Sequence, residues 1–222
     1  MMKSIKGAIF DMDGLLFNTE MVFDKAWQMT ADDHHFKLDY NMQTELRGTS
    51  GKVMMGIIKR YVPQEDTATL MKDLFDNAYI LLQKEVPMKP GVFEILEFFK
   101  EKGIKMAIAS SSPQYMIENN LKVSGIDKYF DVIVNGKEVK IGKPNPDIFL
   151  LAAKRLGLEP ETCFVFEDAI NGVAAGYEAG CKTIMIPDLI RPTEKEKKTT
   201  FGIYSTLNEA LQSIQSYLCN FE

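Results

Sequence analysis

The sequence has few cysteines, no excess of positive charge and no long apolar run, and each shortage excludes a class of protein. Its three cysteines, Cys163, Cys181 and Cys219, do not have the spacing of a metal site. Cys163 and Cys181 lie in apolar, strand-like surroundings, where a buried free thiol is the usual case. We therefore expect free thiols and a reducing, cytoplasmic location.

The 222-residue chain carries 26 Lys and Arg against 31 Asp and Glu, which gives a net charge of -5. No basic field favours nucleic acid or an anionic membrane surface. No segment approaches about eighteen consecutive apolar residues, and no cleavable apolar segment precedes Asp11, so we expect neither a membrane span nor a signal peptide. The hydrophobic content of 45% is typical of a globular domain with room for an insert, and we expect a monomer.

Two nucleotide-binding motifs are also missing. No G-x-G-x-x-G is present, and the segment 48–52 fails as a Walker A loop because Leu46 stands where that motif needs glycine. We interpret 47–52 as a loop followed by the start of a helix. Any phosphate must therefore be bound in another way.

The most informative stretch is a short apolar strand that ends in Asp11, Met12, Asp13 and Gly14. Two carboxylates this close repel each other unless a cation or a proton lies between them, and an oxygen-seeking ion such as Mg2+ meets that need. A calcium loop would need Glu at its twelfth position, where Val22 stands. Gly14 allows a tight turn after the acids.

The next seventy residues have the apolar spacing of helices, at 20–36, 42–61 and 66–85. Proline and glycine at 87–91 close this region. We expect a helical insert at 17–87 and a core formed by residues 1–16 and 88–222. His34 and His35 are interpreted as polar residues at a helix-to-loop junction.

From residue 92 onward, predicted strands and helices alternate. Together with the first strand, the predicted elements are strands at 104–109, 131–134, 162–166 and 182–186 and helices at 92–102, 147–156, 169–179 and 206–218. Ser112 is placed to cap a helix that begins at Pro113. The charged run 193–198 is expected to be a solvated loop or helix end. This order predicts an α/β fold with a doubly wound parallel sheet of five strands.

Several polar residues come just after strand ends, so we expect them to meet at the carboxyl edge of the sheet, where such sheets bind ligands. Asp11 can act as a nucleophile on phosphorus, and Asp13 can protonate the leaving oxygen and later deprotonate water. Asp11 and Asp168 would hold Mg2+, with Glu167 as a direct or water-mediated partner. Ser110 and Lys143 would hold the phosphate.

In order and spacing these residues resemble the haloacid dehalogenase superfamily. The four segments that carry the resemblance are Asp11 to Gly14, the strand end with Ser110 and Ser111, Gly142-Lys143-Pro144, and Glu167-Asp168. The helical insert resembles the small cap of the phosphatase and beta-phosphoglucomutase-like branch. The resemblance implies a Rossmann-like core, an aspartyl-phosphate intermediate, phosphate binding by Ser110, Ser111 and Lys143, and Mg2+ coordination by the backbone carbonyl of Asp13. Dehalogenation is not expected, because it does not need the acid Asp13.

The resemblance also implies substrate contacts from the cap, for which Glu20, Arg47 and Lys52 are the candidates. We expect the cap to close over a small phosphorylated metabolite, such as a sugar or nucleoside monophosphate. A mutase of this family restrains its acid with a cap histidine and grips a distal phosphate with an arginine. The matching positions here are Phe23 and Gly51, which favours a phosphatase.

A beta-phosphoglucomutase-like phosphotransferase remains the alternative. A signalling receiver module, which also accepts phosphate on an aspartate, is more remote because receivers lack a helical insert.

Overall fold

The computed structural model describes residues 4–47, 49 and 51–219, without the side chains of residues 51 and 52. Among these residues the chain forms two compact units. The first consists of the chain up to Phe17 together with the chain from Pro87 onward, and the second is Asn18–Val86. None of the described helices is both long and apolar enough to cross a bilayer.

The first unit is built on one parallel sheet. Its six strands within the described residues are β1 (Gly7–Phe10), β2 (Lys105–Ser110), β3 (Val132–Asn135), β4 (Cys163–Glu167), β5 (Lys182–Met185) and β6 (Gly202–Ile203). They lie in the order β3-β2-β1-β4-β5-β6, and all neighbours are parallel. The predicted fold class is confirmed. The predicted count of five strands is wrong, because the two residues of β6 are too few to show a period.

Strand β1 lies at the centre of the sheet and is buried on both faces. On one face the ring of Phe10 stacks on that of Phe166, with centroids 4.6 Å apart, and Phe99 lies beside both. On the other face Ile9 and Val165 join an apolar cluster with Phe149. Burial on both faces explains why the sequences of these strands are continuously apolar and do not alternate between apolar and polar residues.

Helices cover both faces of the sheet. Within the first unit they are α5 (Val92–Glu101), α6 (Gln114–Ser124), α7 (Asp147–Leu156), α8 (Ile170–Glu178), α9 (Glu194–Thr199) and α10 (Leu207–Cys219). Helix α7 packs on β2 and β3, and α8 packs on β4 and β5. Helices α5 and α10 pack against each other on the face of the sheet that carries Phe10. The ring of Phe99 in α5 and that of Tyr217 in α10 both lie next to the ring of Phe164.

Two local expectations are corrected here. The charged run 193–198 forms most of α9, because Thr193 and Glu196 make a reciprocal capping box that buries the Glu196 side chain. Helix α6 begins at Gln114 after Pro113, and no side chain caps it. Ser112 is therefore not the cap that the Ser-Pro pattern predicts. Cys163 and Cys181 are buried free thiols, as expected.

The second unit contains four helices within its described residues: α1 (Thr19–Asp33), α2 (Tyr40–Leu46), α3 (Gly51–Tyr61) and α4 (Thr67–Leu82). Helix α1 packs along α4. Asp39 and Asp66 cap α2 and α4 by accepting backbone N–H groups. His34, at the end of α1, contacts Glu65 through Nδ1 and Asp73 through Nε2, each at 2.9 Å. The histidine thus ties three segments of this unit together, which is more than a polar junction residue does.

Candidate active site

The site lies at the carboxyl edge of the three central strands. Asp11 follows β1, Ser110 ends β2 and Glu167 ends β4. Since β1 pairs with both neighbours, the register sets Phe10 opposite Ile108 and Phe166, and the chain carries Asp11 between the two flanking strand ends. The Asp11 backbone N–H donates to the carbonyl of Phe166 at 3.0 Å, which extends the ladder to the acid itself.

Lys143 reaches this edge from the loop before α7. Its ammonium donates to Asp11 Oδ1 at 2.5 Å, to Glu167 Oε1 at 2.6 Å and to the carbonyl of Ala109 at 3.0 Å. The lysine side chain is only 9% exposed. Burial, the largest single influence, opposes its charge, but Asp11 and Glu167 together outweigh that effect and raise the pKa of Lys143. Lys143 is therefore a permanent cation between two acids.

The positive charge near Glu167 and Asp168 does not balance the negative charge of the carboxylates in the site. The second oxygen of Glu167 accepts the backbone N–H groups of Asp168 and Ala169 at 3.1 and 3.2 Å. Burial raises the pKa of Glu167 despite Lys143. Burial, followed by repulsion from Glu167 and Asp11, raises the pKa of Asp168 to about 9. One lysine does not balance three acids, so this group of carboxylates favours a further cation.

The arrangement of oxygens fits such a cation. Asp11, Glu167 and Asp168 each offer a carboxylate oxygen, and these atoms lie within 4.8 Å of one another. An all-oxygen donor set of this kind suits Mg2+ rather than a softer metal. Two glycines allow the Glu167 and Asp168 carboxylates to lie close against the backbone. A Cβ on Gly172 would stand 1.8 Å from Glu167 Oε1, and one on Gly14, whose φ is +82°, would stand 2.3 Å from Asp168 Oδ2.

Asp13 is held by two serines at the carboxyl end of β2, Ser110 within the strand and Ser112 just after it. Ser112 Oγ donates to Asp13 Oδ2 at 2.7 Å, and Ser110 Oγ lies 3.4 Å from the same oxygen. Ser110 is buried and also accepts the backbone N–H of Ser112 at 3.1 Å. Ser111, between them, is exposed. Sequence reasoning missed the contact of Ser112 with the acid, because a serine before Pro113 has the same local signature as a helix cap.

The residues expected to contact substrate from the insert belong to the second unit. Arg47 directly follows α2, and its guanidinium donates to Asp24 at 2.8 Å. Glu20 lies in the first turn of α1 and is half-buried. Lys52 belongs to α3, but its side chain is outside what the structure describes. Phe23 packs edge-on against Phe75, with ring centroids 5.7 Å apart.

Comparison with known proteins agrees with this fold and site. The sequence model of the haloacid dehalogenase-like hydrolases matches residues 8–186. A phosphorylated carbohydrates phosphatase of Thermotoga maritima is 34% identical over 181 residues, covering 81% of this chain and 84% of that protein. Hexitol phosphatase B of Escherichia coli is 30% identical over 190 residues, covering 83% and 85% of the two chains.

A crystal structure from Thermotoga maritima, provisionally described as a beta-phosphoglucomutase, superposes with a TM-score of 0.81. It is 29% identical and covers 96% of this chain and 99% of its own. The chain belongs to the haloacid dehalogenase-like hydrolase family. It is a hydrolase of the phosphatase type, as its relatives are.

Proposed function

We propose that the enzyme hydrolyses a small phosphorylated metabolite, in the first place a sugar monophosphate, through an aspartyl phosphate formed on Asp11 with Mg2+ as cofactor. The observation that carries the proposal is that Asp11 and Asp13 have different hydrogen-bond partners. Asp11 accepts the ammonium of the buried Lys143 at 2.5 Å, whereas Asp13, two residues on, accepts the hydroxyl of Ser112 at 2.7 Å. The names of the two phosphatase relatives support a phosphorylated sugar or sugar alcohol.

In the first step a carboxylate oxygen of Asp11 forms a bond to phosphorus, and the bond from phosphorus to the substrate oxygen breaks. Asp13, protonated, gives its proton to that departing oxygen, so an alcohol leaves. In the second step Asp13 takes a proton from water, and the water oxygen bonds to phosphorus. The bond between phosphorus and the Asp11 oxygen breaks, which yields inorganic phosphate and restores the Asp11 carboxylate. Lys143 and Ser110 contribute positive charge and a hydroxyl donor to the phosphoryl oxygens.

Asp11 and Asp168 would hold Mg2+, with Glu167 as a direct or water-mediated partner and the Asp13 carbonyl as a further ligand. Bound there, the ion neutralises charge on the transferring phosphoryl group. The support is the donor set itself, three carboxylates against one ammonium. Glu167 already accepts Lys143 and two backbone N–H groups, which favours the water-mediated arrangement.

The proposal is tested with Asp11→Asn and with Asp127→Asn as a matched control, since Asp127 is exposed and remote from the strand edge. We expect Asp11→Asn to lose about a hundredfold or more in turnover with its fold retained, because the amide loses both the nucleophile and a metal ligand. Turnover within tenfold of the wild type would remove Asp11 as nucleophile. The control should retain full activity, and rapid quench of the wild type should trap phosphate on Asp11.

A mutase is the second candidate, because one of the similar folds is described as a beta-phosphoglucomutase. Against it, Phe23 has no hydrogen-bonding group with which to restrain an acid, and its ring is packed on Phe75. The deciding assay supplies beta-glucose 1-phosphate with a trace of the 1,6-bisphosphate and measures glucose 6-phosphate and free phosphate together. We expect phosphate release to dominate; faster isomerisation would make the enzyme a mutase.

A further inference from the structure

A second ion pair lies beside the candidate metal ligands. Asp188, three residues after β5, accepts the Lys89 ammonium through Oδ1 at 2.6 Å. The two side chains are 17% and 21% exposed, so water screens the pair only partly. Lys89 is fixed through its backbone, because its N–H donates to the carbonyl of Leu16 at 2.8 Å.

The other oxygen of Asp188 faces the site. A Cβ on Gly14 would stand 2.3 Å from Asp168 Oδ2 and 3.4 Å from Asp188 Oδ2, so both oxygens border the same small space. Only glycine leaves that space open, and its φ of +82° is itself unfavourable for other residues. Asp188 therefore lies between a metal-ligand acid on one side and Lys89 on the other.

The charge count explains why a lysine is needed there. Asp11, Glu167 and Asp168 already bring three carboxylates against the one ammonium of Lys143. An unpaired Asp188 would add another negative charge, which attracts a divalent cation but repels a phosphate dianion. Paired with Lys89, it adds no net charge.

We propose, on the basis of the proposed function, that Lys89 and Asp188 are positioning residues that fix the net charge beside the metal ligands. Neither residue touches the reacting atoms. The pair lets a strongly acidic site accept an anionic substrate, with the Asp188 carboxylate retained beside Asp168 and its charge cancelled by Lys89.

Neutralising Lys89 and neutralising Asp188 should therefore have opposite effects on the binding of Mg2+ and of phosphate. In Lys89→Met the stranded Asp188 carboxylate should lower the Kd for Mg2+ and raise the Kd for inorganic phosphate, each by about 3- to 10-fold for one partly screened unit charge. In Asp188→Asn the uncompensated Lys89 should raise the Kd for Mg2+ and lower that for phosphate. The double variant should return both constants to within about twofold of the wild type.

Calorimetric titration measures both constants directly, with Mg2+ added to metal-free protein and phosphate added at saturating Mg2+. Lys6→Met is the matched control, since it removes one exposed lysine before the amino end of β1 and should leave both constants unchanged. Thermal melts identify any variant that fails to fold. If Lys89→Met does, Lys89→Gln serves in its place with the same expected shifts, and Lys89→Arg, which keeps the charge, should behave as the wild type.

Shifts of the same sign in both single variants, or shifts no larger than those of Lys6→Met, would overturn the charge-setting role and leave a merely structural ion pair. This outcome is distinct from a failure of the proposed function. If the wild type itself bound neither Mg2+ nor phosphate, the metal-dependent phosphatase mechanism would be wrong, and the pair would have no metal site to serve.

Discussion

Replacing Lys143 with methionine should destabilise the protein far more than the loss of an ordinary lysine. The side chain is 9% exposed, and its ammonium lies 2.5 Å from Asp11 and 2.6 Å from Glu167. At an effective dielectric constant of about 20, each contact contributes about 6–7 kcal/mol before desolvation is subtracted. Removing one partner of a buried ion pair typically costs about 3–5 kcal/mol, because the remaining charge has no partner. In Lys143→Met two acids would be stranded, so we expect a loss at the upper end of that range.

For a chain of this size, that loss corresponds to a fall in melting temperature of about 10–20 °C. The assay is thermal unfolding of metal-free protein, followed by the same measurement in excess Mg2+. The added cation should raise the melting temperature of Lys143→Met more than that of the wild type, because it meets the stranded carboxylates. Lys140→Met, at an exposed lysine three residues earlier, is the control. A loss below about 1 kcal/mol, or one equal to that of the control, would refute the role of Lys143 as the buried counter-ion.

Three further predictions concern other parts of the chain. Ser112→Ala should lower turnover by about tenfold or more for alkyl phosphates, and less for p-nitrophenyl phosphate, because it removes a hydrogen bond that orients Asp13; an equal loss for both substrates would contradict this. Gly172→Ala should cost about 1–3 kcal/mol in denaturant unfolding by overpacking, whereas Gly142→Ala, where a Cβ would meet nothing within 4 Å, should cost little. His34→Gln should be destabilising at pH below about 6 and nearly neutral well above the raised pKa of His34. Hydrogen bonds to two carboxylates raise that pKa above 6.5, so the stabilisation is complete below pH 6.5 and disappears as pH rises through the raised value; a pH-independent difference in stability would argue against this reading.

The fold class and the enzyme class could be predicted because the informative residues each mark the end of a strand. Asp11, Ser110 and Glu167 follow or close apolar runs, and parallel pairing alone brings such ends to one edge. Lys143 comes to the same place from a loop, so the parallel pairing of strands does not by itself place it there.

Other features could not be predicted because their cause is tertiary. Ser112 has the local pattern of a helix cap, yet its hydroxyl donates to Asp13, which is 99 residues away in sequence. Lys89 and Asp188 are likewise 99 residues apart, and neither belongs to a motif. The charged run that forms α9 resembles a solvated segment until the capping box of Thr193 and Glu196 is seen.

Because β1 lies at the centre of the sheet, the active site can form only after the strands on both sides of β1 have been synthesised. Its two neighbours, β2 and β4, begin about 95 and 150 residues after β1 ends. At about 5–20 residues per second, a ribosome needs about 8–30 s to deliver β4 after β1. Throughout that interval β1, which leads directly into Asp11, has at least one unpaired edge, and Glu167 and Asp168 have not been synthesised. Translation products that stop before β4 can form the helices of the second unit, but they have neither a closed central sheet nor the acids that would hold the metal.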